Sequence, residues 1–133
     1  IGDFVKIKDI EGIVKEITVN YTKVITADGK TVLFSNRDVL KTSIVVYERK
    51  EDIYNYPIEI VFSSTRKKDE IEEILFGLLN KFKSEGKVID GRFYLIELKK
   101  LEKKYVIILT VDNAEKLFVI PSEFLSELAG ALE

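Results

Sequence analysis

The sequence predicts an α+β fold in two parts: a small Sm-like or SH3-like β-barrel, then a ferredoxin-like domain of β-α-β-β-α order. Three observations carry that prediction. The first part alternates short β-branched runs with turn residues. In the second, Ile71, Ile74, Leu75, Leu78, Leu79 and Phe82 recur at the spacing of one helical face. Between them the charged run Glu48-Arg49-Lys50-Glu51-Asp52 reads as a boundary, placing the domains at 1–49 and 50–133.

Residues 4–8 (Phe4-Val5-Lys6-Ile7-Lys8) alternate apolar and polar, and Glu11-Gly12 reads as the turn that follows. Residues 13–19 form a second strand, with Ile13, Val14, Ile17 and Val19 expected in the core. Asn20-Tyr21 allows a bend before a β-branched third strand over 22–27. Asp28-Gly29 signals a hairpin, because both residues tolerate the positive φ of a tight primed turn. Residues 31–34 return, Ser35-Asn36 can cap a helical turn through Asp38, Val39 and Leu40, and 42–47 closes the set. Strands this short must curl to bury one face and shield their edges, which favours a barrel over an OB-fold with its longer strands.

In the second part, residues 56–62 alternate as a strand, with Pro57 near the start, where a missing donor is tolerable. Ser64 or Thr65 can cap the helix that follows. Asp69, Glu70, Glu72 and Glu73 favour its first half, Lys81 and Lys83 its end, and Gly86 stops it. Two strands follow, one carrying either Phe93 and Leu95 or Tyr94, Ile96 and Leu98 inward, the other over 105–111, joined by a polar hairpin at 99–104. Pro121 disfavours helix at the residue before it. Residues 116–120 therefore read as extended and 121–132 as a helix whose Phe124, Leu125, Leu128 and Leu132 face the sheet; a kinked helix from Ala114 onward competes.

Composition excludes much chemistry. The 133 residues contain no Cys, His, Met, Trp or Gln. That leaves no thiol nucleophile, no imidazole base, no thiolate or imidazole zinc ligand and no disulfide. No constellation supports a hydrolase, and no cofactor is expected. Lys plus Arg number 21 against 23 Asp plus Glu, a net charge of −2, which argues against a dedicated nucleic-acid binder. Richness in Lys, Glu and Ile without Gln, Cys or Met points to a thermophilic source. The longest apolar run, 105–111, has the length of a strand rather than the roughly 20 residues of a membrane span. No signal peptide is visible, and the chain opens on Ile1 rather than Met, which reads as a piece of a longer protein.

Over residues 1–40 the sequence resembles the β-domain of the small-conductance mechanosensitive channels, the MscS family. The opening Gly2, Asp3, Val5 and Ile7 matches that family's Gly-Asp-x-Val-x-Ile. Gly12 and Val14 follow in the second strand, Thr22 in the third, Asp28-Gly29 at the hairpin and Asn36 after an apolar strand. Ser35 stands where the family often has proline, and Tyr21-Thr22-Lys23-Val24 lacks its frequent arginine. The second part fits only in its β-α-β-β order. The resemblance implies a non-enzymatic module on the cytoplasmic side of the cell membrane, following a pore-lining helix outside this chain. It further implies a homo-oligomeric ring, usually a heptamer, forming a vestibule through whose side openings ions reach a tension-gated pore. Gly2, Asp3, Gly12, Thr22, Asp28, Gly29 and Asn36 are then structural residues of the barrel.

Other clusters have plainer readings. The glycines match no phosphate-loop spacing. The acidic group Asp69, Glu70, Glu72 and Glu73 reads as a solvated first helical turn, and Asp112-Asn113-Ala114-Glu115 as a polar turn lacking calcium-loop spacing. Lys99, Lys100, Lys103 and Lys104, with Arg66-Lys67-Lys68 and the nearby Tyr94 and Tyr105, form basic clusters that in a vestibule would bias which ions enter. The same clusters keep a second function in view, a soluble Sm-like RNA-binding protein with an appended domain. Tyr54 and Tyr56 read either as an interface or as packing between the domains.

Overall fold

A computed structural model describes residues 1–47, 49–50 and 53–133. Of the charged run read as a boundary, Glu48, Glu51 and Asp52 lie outside the described residues.

The first part contains β1 (Phe4–Ile7), β2 (Ile10–Ile17), β3 (Tyr21–Thr26), β4 (Thr31–Ser35), a helical turn α1 (Asn36–Val39) and β5 (Ile44–Val46). Its sheet has the order β4-β3-β2-β1-β5, antiparallel throughout: a four-strand meander with a fifth strand returning beside the first, as the small-barrel reading expects. Val5, Ile7, Val14, Val24 and Phe34 are buried together inside it. Alternation along the strands sends their neighbours Phe4 and Ile13 the other way, into a second and larger core.

Three local expectations need correction here. Gly12 lies inside β2, paired with Val5 and Thr26, and the turn falls at Lys8, whose φ is 57°. The glycine is required by close approach: a Cβ there would sit 2.4 Å from the Ile25 carbonyl oxygen. Ile17 and Val19 are 56% and 94% exposed, because β2 ends at Ile17 on the rim of the sheet and Val19 belongs to the turn beyond it. The Asp28-Gly29 hairpin is present, but its loop spans 27–30, and only Gly29 takes positive φ (82°). Gly29 N–H donates to the Thr26 carbonyl at 3.1 Å, so a turn followed by a left-handed glycine replaces the expected primed turn.

The second part contains β6 (Arg49–Lys50), β7 (Ile53–Ser63), α2 (Lys68–Ser84), β8 (Asp90–Leu98), β9 (Glu102–Val111), a 3-10 turn (Ala114–Phe118) and α3 (Ile120–Ala131). Strand order is β6-β7-β9-β8, with β9 antiparallel to both neighbours. This is the split β-α-β arrangement of a ferredoxin-like sheet. Among the described residues β6 pairs only with Ile53 and Tyr54 of β7, so Pro57, inside β7 and opposite Ile108 of β9, lies where no strand pairs on the other side, the edge position that tolerates proline.

The helical face of α2 is as expected: Ile71, Leu75, Leu79 and Phe82 are buried, and Ile74 and Leu78 pack partly against them. Its start differs. Lys67 is the N-cap, since the Ser63 and Thr65 hydroxyls bond each other at 2.9 Å and hold a preceding turn. The segment read as extended at 116–120 is instead the 3-10 turn running into α3, closer to the competing helical reading. Asn113 starts it by accepting the Glu115 N–H at 2.7 Å, and Pro121 sits within the first two positions of α3, where no intrahelical donor is needed. Ile120, Phe124 and Leu128, four apart, form the buried stripe of α3; Leu125 turns away and is 42% exposed.

Candidate functional site

Of the residues carrying the family resemblance, Val5, Ile7 and Val14 are buried inside the first sheet, Gly12 lies mid-strand, and the others act at its rims and turns. Gly2 (φ 85°) donates its N–H to Val14 O at 2.7 Å, and the Asp3 carbonyl accepts Val14 N–H at 3.0 Å, extending the pairing of β1 with β2. Thr22, buried on β3, donates its hydroxyl to Asn36 Oδ1 at 2.7 Å. The Asn36 amide in turn donates to the Thr18 and Val19 carbonyls at 2.7 and 3.2 Å. Asn36 therefore ties the β2–β3 turn to the end of β4, and Ser35, expected as a cap, makes no side-chain cap bond. At the hairpin, the Thr26 hydroxyl and then Lys30 hold the Asp28 carboxyl below its usual range.

Tertiary structure disperses the four lysines of the β8–β9 hairpin. Lys99 pairs with Glu97 at 3.1 Å and Lys104 with Glu59 at 3.2 Å. Lys103 donates to the Ser64 and Arg66 carbonyls at 3.0 and 2.9 Å, closing the turn before α2. Lys100 is exposed and has no ion-pair partner among the described residues. Tyr105 is fully buried and donates to Glu72 at 2.8 Å, so it offers no stacking surface; Tyr94 is 53% exposed. Among the described residues no three His, Cys, Asp or Glu side chains gather as a metal group. Glu72 pairs with Lys68, Glu70 with Arg66, and Asp112 with Lys116.

A second constellation escaped the sequence reading. Glu11 Oε2 accepts the Tyr56 hydroxyl at 2.9 Å and the Tyr47 hydroxyl at 3.4 Å, bringing together β2, the end of β5 and β7. The Tyr47 and Tyr56 rings lie 5.1 Å apart, and Phe4 packs against both, at 5.4 and 5.9 Å, and against Phe118 at 5.7 Å. Tyr54 is buried alongside, its hydroxyl 3.4 Å from the Gly2 carbonyl oxygen. Tyr54 and Tyr56 are thus packing between the two sheets. Burial, and secondarily Glu11, pushes the Tyr47 phenol up to about 12; burial and Glu11 raise Tyr56 as well. Glu11 had looked like a turn residue, and only the three-dimensional register shows its role.

Residues 1–49 match the family described as mechanosensitive ion channel, beta-domain. An uncharacterized MscS family protein of Buchnera aphidicola subsp. Baizongia pistaciae is 30% identical over 101 residues, covering 75% of this chain and 34% of the relative. Another, from Aquifex aeolicus, is 30% identical over 97 residues, covering 71% of this chain and 26% of the relative. The chain therefore spans about a third or less of these relatives. The fold is shared with Helicobacter pylori MscS in its closed state (TM-score 0.62, 16% identity, 98% of this chain and 51% of that one). It is shared also with Arabidopsis thaliana MSL1 (TM-score 0.52, 23% identity, 98% and 48%). A β-domain match over residues 1–49, two relatives similar over most of the chain and a common fold over nearly all of it support an MscS family C-terminal region.

Proposed function

We propose that the chain is part of the cytoplasmic vestibule of a tension-gated MscS-like channel. Copies of it assemble into a ring, a heptamer by family resemblance, beneath a pore whose membrane helices lie outside this chain. The share of the relatives that it spans supports this reading, leaving room for such helices elsewhere in the protein. Among the described residues no helix is long and apolar enough to cross a membrane. Division into a barrel over 1–49 and an α/β domain over 50–133 belongs to the same proposal, supported by two sheets that share no ladder among the described residues. The part carries no enzymatic role and binds no nucleic acid; ions entering the vestibule pass a hairpin whose Lys99 and Lys104 are paired with carboxylates, while Lys100 and Lys103 have no carboxylate partner among the described residues.

The observation that carries assembly is β5. Ile44, Val45 and Val46 are 41%, 49% and 57% exposed, on a strand that among the described residues pairs only with β1. Consecutive exposed apolar residues on an open edge are a surface that a protein covers with another chain. In a ring, that chain is the next copy.

The complete protein carrying this chain, reconstituted in liposomes under patch suction, is expected to pass tension-dependent currents and to image as a ring. Val45→Asp with Val46→Asp is expected to disperse the ring. Silence at every tension short of membrane rupture rules out the channel reading.

A further inference from the structure

We propose that Glu11 is a latch that fixes the angle between the two sheets, holding one phenol from each side of the segment that joins them. Tyr47 precedes that segment and Tyr56 follows it, and both hydroxyls converge on the same carboxylate oxygen. A single acceptor reached from both sides constrains direction, which apolar contact does not.

Packing at the seam leaves that constraint needed. Phe4 and Ile13 of the barrel join the core of the second sheet, so the two parts adhere. Beside them runs a groove of about 350 Å³ lined by Phe4, Glu11, Tyr56, Phe118 and Leu125. An incompletely filled apolar seam permits rocking, and a hydrogen-bonded carboxylate at its edge selects one orientation. Both phenols are held neutral well above the physiological range, so both remain donors and the latch stays closed. The Tyr54 hydroxyl near the Gly2 carbonyl oxygen adds a polar contact across the same seam. This inference stands apart from the channel reading.

The absence of Cys from the sequence makes site-specific labelling direct. Lys41→Cys beyond α1 and Lys83→Cys on α2 are exposed positions, one in each part. Spin labels there, read by pulsed dipolar spectroscopy on the full chain, are expected to give one narrow distance distribution. Tyr47→Phe with Tyr56→Phe keeps the rings and removes only the hydroxyls; the distribution is expected to broaden at least twofold while the far-ultraviolet circular dichroism stays native. Glu11→Leu is expected to broaden it to the same extent. An unchanged width in either variant overturns the latch. So does loss of the folded spectrum in the phenylalanine variant, which makes the hydroxyls a requirement for folding rather than for orientation.

Discussion

Single residues of this protein do work that their type alone does not reveal. Gly12 has the appearance of a turn glycine, yet it sits mid-strand where β2 and β3 approach so closely that no side chain fits. Gly12→Ala must push the Ile25 carbonyl away, and overpacking of this kind costs about 1–3 kcal/mol. Urea unfolding is expected to show that loss for Gly12→Ala; an unchanged midpoint means the strands have room to separate. Asn36 was legible as an important position, though not for the reason its neighbourhood implied. A Ser-Asn pair before a helical turn predicts a cap; the side chain instead gathers Thr18 and Val19 of a turn distant in sequence and Thr22 of the strand that follows it. No local pattern encodes such a partner.

At the scale of elements, α2 is the part most fully legible beforehand. Its apolar stripe, acidic start, basic end and terminating Gly86 (φ 75°) all agree, and burial follows that stripe. Consistency between levels is what makes a helix predictable. α3 was harder, because Pro121 gives a local signal against helix while Asn113 upstream nucleates a 3-10 turn that feeds into it. Its docking is asymmetric: Phe124 is fully buried, 5.4 Å from Phe82 in an edge-on contact, whereas Leu125 faces outward. Phe124→Ala is expected to cost about 3–5 kcal/mol and Leu125→Ala well under half as much, measured by chemical denaturation. Equal losses would mean that α3 seats on a different face.

For the whole molecule, the shared core and the buried phenols set the response to alkali. Burial first, then Glu11 for Tyr47 and Glu72 for Tyr105, raises each phenol from its ordinary 10 to about 12. The folded chain thus holds these protons more tightly than the unfolded chain, so the stabilisation is intact below pH 10 and is lost as pH rises towards 12. Urea midpoints are expected to hold steady up to pH 10 and then fall, and Tyr105→Phe is expected to flatten part of that fall. A midpoint that stays level to pH 12 means the phenols ionise in place without cost. The sequence by itself determined the fold class, most of the order of strands and helices and the family resemblance, because periodicity, turn chemistry and motif spacing are local along the chain. Tertiary structure alone decided that Lys103 and Lys104 find carbonyl and carboxylate partners, that Asn36 faces inward, and that Glu11 joins the two sheets. Those outcomes depend on which distant segments meet, and strand order and register, rather than spacing, set that.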